Sequence, residues 1–334
     1  MQILLDENKN FYKAALHCHS KNSDGALSVA ELKEEFKKRG YQIVAFTDHE
    51  HLIDNSYLDD ENFLTITSCE IAIKQFPKQS TMKNYGMKVT HLNLYAENQH
   101  NVITPCYSSV ADHFKNPEIE DLVKFEGEWE REYSAEGINA IIKEAKAKGF
   151  LVAYNHPTWS LENATDYLSY DGLFAVEIYN HSSAVTGINT YCPNVLDDML
   201  RAGKKVYCTM CDDNHNWKGI DHPDSDIFGG FVMINAERLD YDTIINVLKN
   251  GEFYASQGPE IKSLVRDGDT VTVKTSPAAR ISLSTAGRRA KAKNAAEGET
   301  VSEATFKIRP DDGYFRITVM DKNGKYANSR GYEI

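Results

Sequence analysis

His17-Cys18-His19-Ser20-Lys21-Asn22-Ser23-Asp24 sets two histidines two residues apart, with an aspartate a few positions on, directly behind the short apolar run Ala14-Ala15-Leu16. On an extended strand, residues i and i+2 point to one face, so the imidazoles of His17 and His19 stand side by side. A pair of polar rings is costly to bury unless each nitrogen has a partner. A His-x-His pair by itself is usually a surface or hydrogen-bonded core feature, and the residues downstream decide how this one is read.

Outward from that stretch, strand-like and helix-like segments alternate over about the first 250 residues, the pattern of an α/β fold. Ser28 with Glu31 three positions on is a capping box, which predicts a helix that Gly40 ends. Strands are predicted at 41–46, 63–67, 88–95, 151–154, 174–178, 205–209 and 231–235. Helices are predicted from Ser134 to near Gly149, at 189–202 and at 241–249. From about Ile261 the chain turns to short strands between Asp267-Gly268-Asp269, Asp311-Asp312-Gly313 and Lys322-Asn323-Gly324-Lys325. The expected organisation is one domain over 1–258, carrying an irregular insert at 98–133, and a small all-β sandwich over 259–334, joined near Gly258-Pro259.

The residues able to do chemistry collect where predicted strands end. His17, His19, Asp24, His49, Glu70, His156, Asp213 and His215 fall at or just after such ends, and His91 lies within a strand. In a barrel of parallel strands those ends converge on one mouth. Six imidazoles and three carboxylates gathered there make a sensible shell for two or three divalent cations.

Composition limits the alternatives. A formal net charge of −12 argues against an extended nucleic-acid surface. There is no apolar run of membrane-spanning length, and residues 1–13 lack a secretory pattern, so the expectation is a cytoplasmic protein. The six cysteines show no secreted disulfide framework. Cys208 and Cys211 form a Cys-x-x-Cys, which is either a redox or zinc motif or part of the buried strand that Val206-Tyr207-Cys208 begins. The acidic residues of the insert, from Glu118 to Glu132, form either a lid over the mouth or a solvated face.

Taken in order, these residues resemble the polymerase and histidinol phosphatase (PHP) superfamily. Its first motif resembles His17-x-His19 with Ser23-Asp24-Gly25, its second Thr47-Asp48-His49, its third His156-Pro157 and its fourth Asp213-Asn214-His215. Glu70, His91, Phe253-Tyr254-Ala255-Ser256 and Gly258-Pro259 also fit the family pattern. The resemblance implies a distorted seven-stranded (β/α) TIM-like barrel with a trinuclear site for zinc, manganese or iron. By analogy His17, His19, Glu70 and Asp213 hold one ion. Glu70 bridges to a second held by His91 and His156, and Asp24, His49 and His215 hold the third. The implied activity is hydrolysis of a small phosphorylated substrate, with a nucleotide or short oligonucleotide end among the candidates. The nucleophile would be a hydroxide shared by the metals, so no serine or cysteine nucleophile is required.

Beside the ligands, Asp48 and Asp212 are read as carboxylates that orient ligand imidazoles. Lys21, Asn180 and Arg131 are read as substrate contacts, Lys21 equally well as an exposed loop lysine, and His181 is the first of the remaining histidines to test in that role. Trp159 and Trp217 either stack on a base or sugar or pack at the rim. Two other readings remain open: hydrolysis of C–N bonds on a related polynuclear barrel, and an inactive metal-binding module whose β tail recruits a partner.

Overall fold

The computed structural model describes residues 1–75, 86–111 and 116–334. The middle of the insert and His113 therefore lie outside the described residues. In chain order the first part comprises β1 (Gln2–Leu5), β2 (Asn10–Ala15), α1 (Val29–Lys38), β3 (Ile43–Phe46), β4 (Leu64–Lys74) and β5 (Val89–Ala96). Then come β6 (Ile103–Thr104), β7 (Lys124–Phe125), α2 (Ala135–Ala147), β8 (Phe150–Tyr154), α3 (Ala164–Tyr167), β9 (Ala175–Asn180) and α4 (His181–Val185). They are followed by α5 (Pro193–Arg201), β10 (Tyr207–Cys211), β11 (Phe231–Ala236), α6 (Tyr241–Asn250) and β12 (Phe253–Ser256).

The helices begin where their caps dictate. The Ser28 hydroxyl accepts from Glu31 N–H and the Glu31 carboxylate answers at Ser28 N–H, so α1 opens with two of its orphan donors satisfied. Val29, Leu32 and Phe36 then repeat at helical spacing and are buried. Ser134 caps α2 by accepting from Gly137 N–H, and Ile138, Ile141, Ile142 and Ala145 form its buried stripe.

Strands β2, β3, β4, β5, β8, β9 and β10 lie side by side in that order. All neighbouring pairs are parallel except those of β5, which runs antiparallel to both β4 and β8. Beyond the last ladder, His19 N–H donates to Asn214 O and Asp213 N–H to His17 O, so the chain after β10 is bonded to the chain after β2. Large apolar clusters pack on this sheet, one around Ile141, Ile71 and Leu196, another around Leu16, Ile66 and Leu248.

Two sequence expectations shift. The strand predicted at 63–67 continues to Lys74, so Glu70 stands inside β4 rather than after it. Leu64 to Thr67 pair with β3, and from Ser68 onward the strand pairs with β5. The Cys-x-x-Cys reading of Cys208 and Cys211 as a redox or zinc motif also fails, because both lie in β10 and residues three apart on a strand face opposite ways. Both are buried free thiols, and burial pushes Cys208 up to about 12.

The C-terminal strands are β13 (Ile261–Asp267), β14 (Thr270–Ala278), β15 (Arg280–Thr285), β16 (Ala290–Asn294), β17 (Val301–Lys307), β18 (Tyr314–Met320), β19 (Tyr326–Ser329) and β20 (Tyr332–Glu333). They make two antiparallel layers over a shared core that includes Leu264, Val273, Ile281, Phe306 and Ile317. One layer runs β1-β13-β14-β17, so the first strand of the chain belongs to the last sheet. The other continues from β11 through β12 into β19, β18, β15 and β16 without a break. Arg316 on β18 reaches across to α5 and grips Asp197 through Nε and Nη2 at 2.8 and 2.6 Å, both groups being largely buried.

Candidate metal centre

The stretch after β2 is shaped mainly by backbone bonds and one carboxylate. Asp48 accepts from Ser20 N–H, Ser20 Oγ and Ser23 Oγ, each at 2.8 Å. It therefore ties down the loop that carries Asp24, and among the described residues its carboxylate makes no bond to an imidazole, contrary to the orienting role read from sequence. Gly25 follows because a Cβ there would sit 2.5 Å from His19 O. Asp212 likewise holds backbone instead of a ring: the N–H groups of Phe228, Gly229 and Gly230 donate to it at 2.6, 2.8 and 2.8 Å. Burial raises its pKa to about 7 against the pull of those three donors.

Three groups of side chains converge above this frame. His17, His19, Glu70 and Asp213 form one, Glu70, His91 and His156 a second, and His19, Asp24, His49 and His215 a third, with the ligand atoms of each lying within 4.8 Å of one another. Glu70 Oε1 is the common point of the first two, at 3.2 Å from His17 Nε2, 3.1 Å from His91 Nδ1 and 3.3 Å from His156 Nε2. His19 joins the first and third, with Nε2 3.0 Å from Asp213 and Nδ1 3.7 Å from Asp24. The sequence analogy gave His19 to one ion alone. The reversal of β5 explains His91: it is the third residue of an antiparallel strand, so the start of β5 reaches the place where its neighbours end.

Hydrogen bonds account for only part of these contacts: His91 Nδ1 and His156 Nε2 each bond to Glu70 Oε1. His17 Nε2 and both ring nitrogens of His19 are buried and have no hydrogen-bond partner among the described residues, although carboxylate oxygens lie 3.0–3.7 Å away. Donor atoms about 2.1 Å from a shared tetrahedral ion stand about 3.4 Å from one another. The observed spacing, the mixed imidazole and carboxylate donors and the orphaned nitrogens all fit divalent cations.

Charge separation within the groups is strong. Burial works to lower the pKa of His17, but Asp213, Glu70 and Glu177 outweigh it and hold it well above the usual value. For His215 burial is again outweighed, by Asp24 above all, and its pKa reaches about 9. His49 goes the other way, to about 3, through burial and the adjacent His19. Glu70 and Asp213 are held below the ordinary carboxylate range by the imidazoles around them, against the cost of burial. His156 and Asp213 also have positive φ, 28° and 56°, a region that non-glycine residues rarely enter and that recurs at functional sites.

Several supporting residues escaped the sequence. Glu177 on β9 accepts from His17 Nδ1 at 3.0 Å with one oxygen, and from His156 N–H and Asn180 Nδ2 at 2.9 and 3.0 Å with the other. The available signal was a lone glutamate inside the apolar run Phe174-Ala175-Val176-Glu177-Ile178. Asn155 donates to Glu70 at 2.7 Å, and Asp226 accepts from the backbone of His215 at 2.7 Å.

The expected substrate contacts fare unevenly. Arg131 is buried and spends its donors on Glu50, Ala72 O and Cys106 O, so it anchors the insert and does not face a substrate. Asn180 is fully occupied by Glu177, Asp213 and the first turn of α4, which makes it a positioning residue for Asp213. The ring of His181 bonds to Tyr179 OH and covers Gly229, where any Cβ would strike it. Lys21 turns its exposed amine toward Glu31, 3.4 Å away. Trp159 and Trp217 do stand at the rim, with ring centroids 4.9 Å from His156 and 5.3 Å from His215, and are 42% and 71% exposed.

Comparison with known proteins adds a family. A family model described as PHP domain matches residues 15–170, a span that contains His17, His19, Asp24, His49, Glu70, His91 and His156 and stops before Asp213 and His215. No curated protein matches the chain. Among solved structures, it is similar to a two-domain protein from Bacteroides vulgatus said to contain a predicted PHP-like metal-dependent phosphoesterase, at 15% identity and TM-score 0.42, over 99% of this chain and 96% of that one. It is similar to an amidohydrolase from Chromobacterium violaceum with bound sulfate and no metal, at 13% identity and TM-score 0.36, over 63% and 90% of the two chains. A third is described as a candidate metal-dependent phosphoesterase from Bifidobacterium adolescentis, at 16% identity and TM-score 0.34, over 70% and 95%. These three likenesses are loose, and the assignment rests on the family model and the site geometry.

Proposed function

We propose, from the match of residues 15–170 to the PHP domain model, that the protein is a metal-dependent phosphoesterase acting on a small phosphorylated molecule. The observation that carries the reading is the joining of the three ligand groups through Glu70 and His19, with Asp213 and His215 brought in from beyond the matched span. We further propose that β2, β3, β4, β5, β8, β9 and β10 form a distorted barrel closed at Cys18 and Asn214, with a small β-sandwich from about residue 259. The free thiols suit a reducing compartment such as the cytoplasm.

Divalent cations held there would supply Lewis acidity, lowering the pKa of bound water and neutralising charge on phosphoryl oxygens. The chain's own residues prepare that site. Glu177 accepts the hydrogen bond from His17 Nδ1–H, which leaves Nε2 as the ring atom that would face a cation. Asp213 O accepts the hydrogen bond from His215 Nδ1–H at 2.9 Å, which turns its Nε2 toward Asp24. The two exposed tryptophans border the cluster on different loops and offer flat faces to an aromatic group, which favours a nucleotide over an aliphatic phosphate.

Protein loaded with Mn²⁺, Zn²⁺ or Fe²⁺ should release inorganic phosphate from a panel containing mononucleotides, short oligonucleotides and sugar phosphates. Asp213→Ala should lower kcat by at least about a hundredfold. Turnover of amides alone, or no turnover with any of the three metals, would overturn the proposal.

A further inference from the structure

A second concave site lies at the other end of β10. A cavity of about 630 Å³ opens between the end of α5, the segment leading into β10 and the C-terminal layers. Its wall carries Arg201, Lys204, Lys205, Arg266 and Arg330 against one carboxylate, Glu333. Lys204 is paired with Asp171 at 2.6 Å and Arg201 lies 3.6 Å from Asp198. Lys205, Arg266 and Arg330 have no carboxylate partner among the described residues. Arg266 is fixed by carbonyls instead, Nε by Gly268 O and Nη1 by Glu333 O.

Arg330 is the centre of the site. Its guanidinium lies over the rings of Tyr207 and Tyr332, 5.3 and 4.6 Å from their centroids, which holds its plane. Its Nε and the hydroxyl of Tyr332 are buried and have no partner of hydrogen-bond geometry among the described residues, although the two side chains adjoin each other, and Tyr332 as a whole is only 4% exposed. Buried donors without partners are rare in native proteins, and each such group calls for a water, an ion or a ligand. Three cations without a carboxylate partner on the wall of one cavity, one of them with a buried unpaired donor, match an anion with several oxygens, because guanidinium and phosphate meet in paired, charge-assisted bonds. The volume lies in the range of small-ligand pockets.

The geometry points to a second anion site here, taking a small phosphate- or pyrophosphate-bearing molecule through Arg330, Tyr332 and Lys205. It is separate from the metal cluster: Lys205 and Asp213 bracket β10, and an extended segment of that length spans more than about 20 Å. The inference does not depend on the phosphoesterase reading.

The test is calorimetric titration of pyrophosphate into the full-length protein, with chelator present so that no cation holds the anion at the mouth. Binding is expected in the wild type, unchanged in His19→Ala, and weakened by about threefold or more in Arg330→Gln and Lys205→Glu. Should Arg330→Gln fail to fold by circular dichroism, Lys205→Glu decides alone, since that side chain is exposed. No binding up to about 10 mM, a loss smaller than about threefold in Lys205→Glu, or a loss in His19→Ala of that size would each overturn the site.

Discussion

At the scale of single residues, the members of the three side-chain clusters were legible and their supports were not. A histidine or carboxylate that interrupts the end of an apolar strand is visible in one dimension, which is why His17, His49, His156 and Asp213 stood out. Glu177 sits within a strand and acquires its meaning only from three partners that the fold brings to it. Asp48 and Asp212 were placed near the site for the right reason and given the wrong task, because sequence adjacency to a ligand does not say whether a carboxylate faces a ring or a loop. The arrangement around Glu177 makes a sharp prediction. A glutamine there must turn its NH₂ either toward His17 Nδ1–H or toward His156 N–H and Asn180 Nδ2, so one donor always faces another. Glu177→Gln should weaken Mn²⁺ or Zn²⁺ binding by about 10- to 100-fold in a metal titration. An affinity within about twofold of wild type would show that His17 needs no such partner.

At the scale of elements, helix starts were read well because caps are local. The Ser28 box and the Ser134 cap both appear where the sequence put them. Ser28→Ala removes a bond to the α1 backbone and should cost about 1 kcal/mol of stability. Denaturant melts should show that loss as a lower midpoint with an unchanged slope, and no change in midpoint would mean that packing of Leu32 and Phe36 alone holds the helix. Strand direction was less legible. Nothing local distinguishes β5 from its parallel neighbours, and its reversal shows only in its antiparallel pairing with β4, from Ser68 to Lys74. The same pairing pulled Glu70 into mid-strand, since β4 extends as far as its second partner does.

At the scale of the whole molecule, the change in texture near residue 260 was readable, but not the way the C-terminal layers are attached. They share a sheet with β11 and β12 and are clamped to α5 by Arg316 and Asp197. Asp197→Ala leaves a largely buried guanidinium unpaired and should cost on the order of 3–5 kcal/mol, with Asp197→Ala/Arg316→Met regaining part of it. Burial raises the Asp197 pKa, and Arg316 overcomes that and sets it below the usual value. A lowered folded pKa means the stabilisation is complete above the unfolded value of about 3.9 and is lost as pH falls through the folded one. The gap in melting temperature between wild type and Asp197→Ala should therefore narrow below about pH 4, and a gap independent of pH would assign the effect to packing. The pairing of β1 with β13 has a consequence in time. Ile261 follows Leu5 by 256 residues, so at roughly 5–20 residues per second a growing chain carries its first strand for about 13–50 s before the partner exists. The strands that carry the side-chain clusters can collapse in that interval; the residues of β1 are made before them and find their place after.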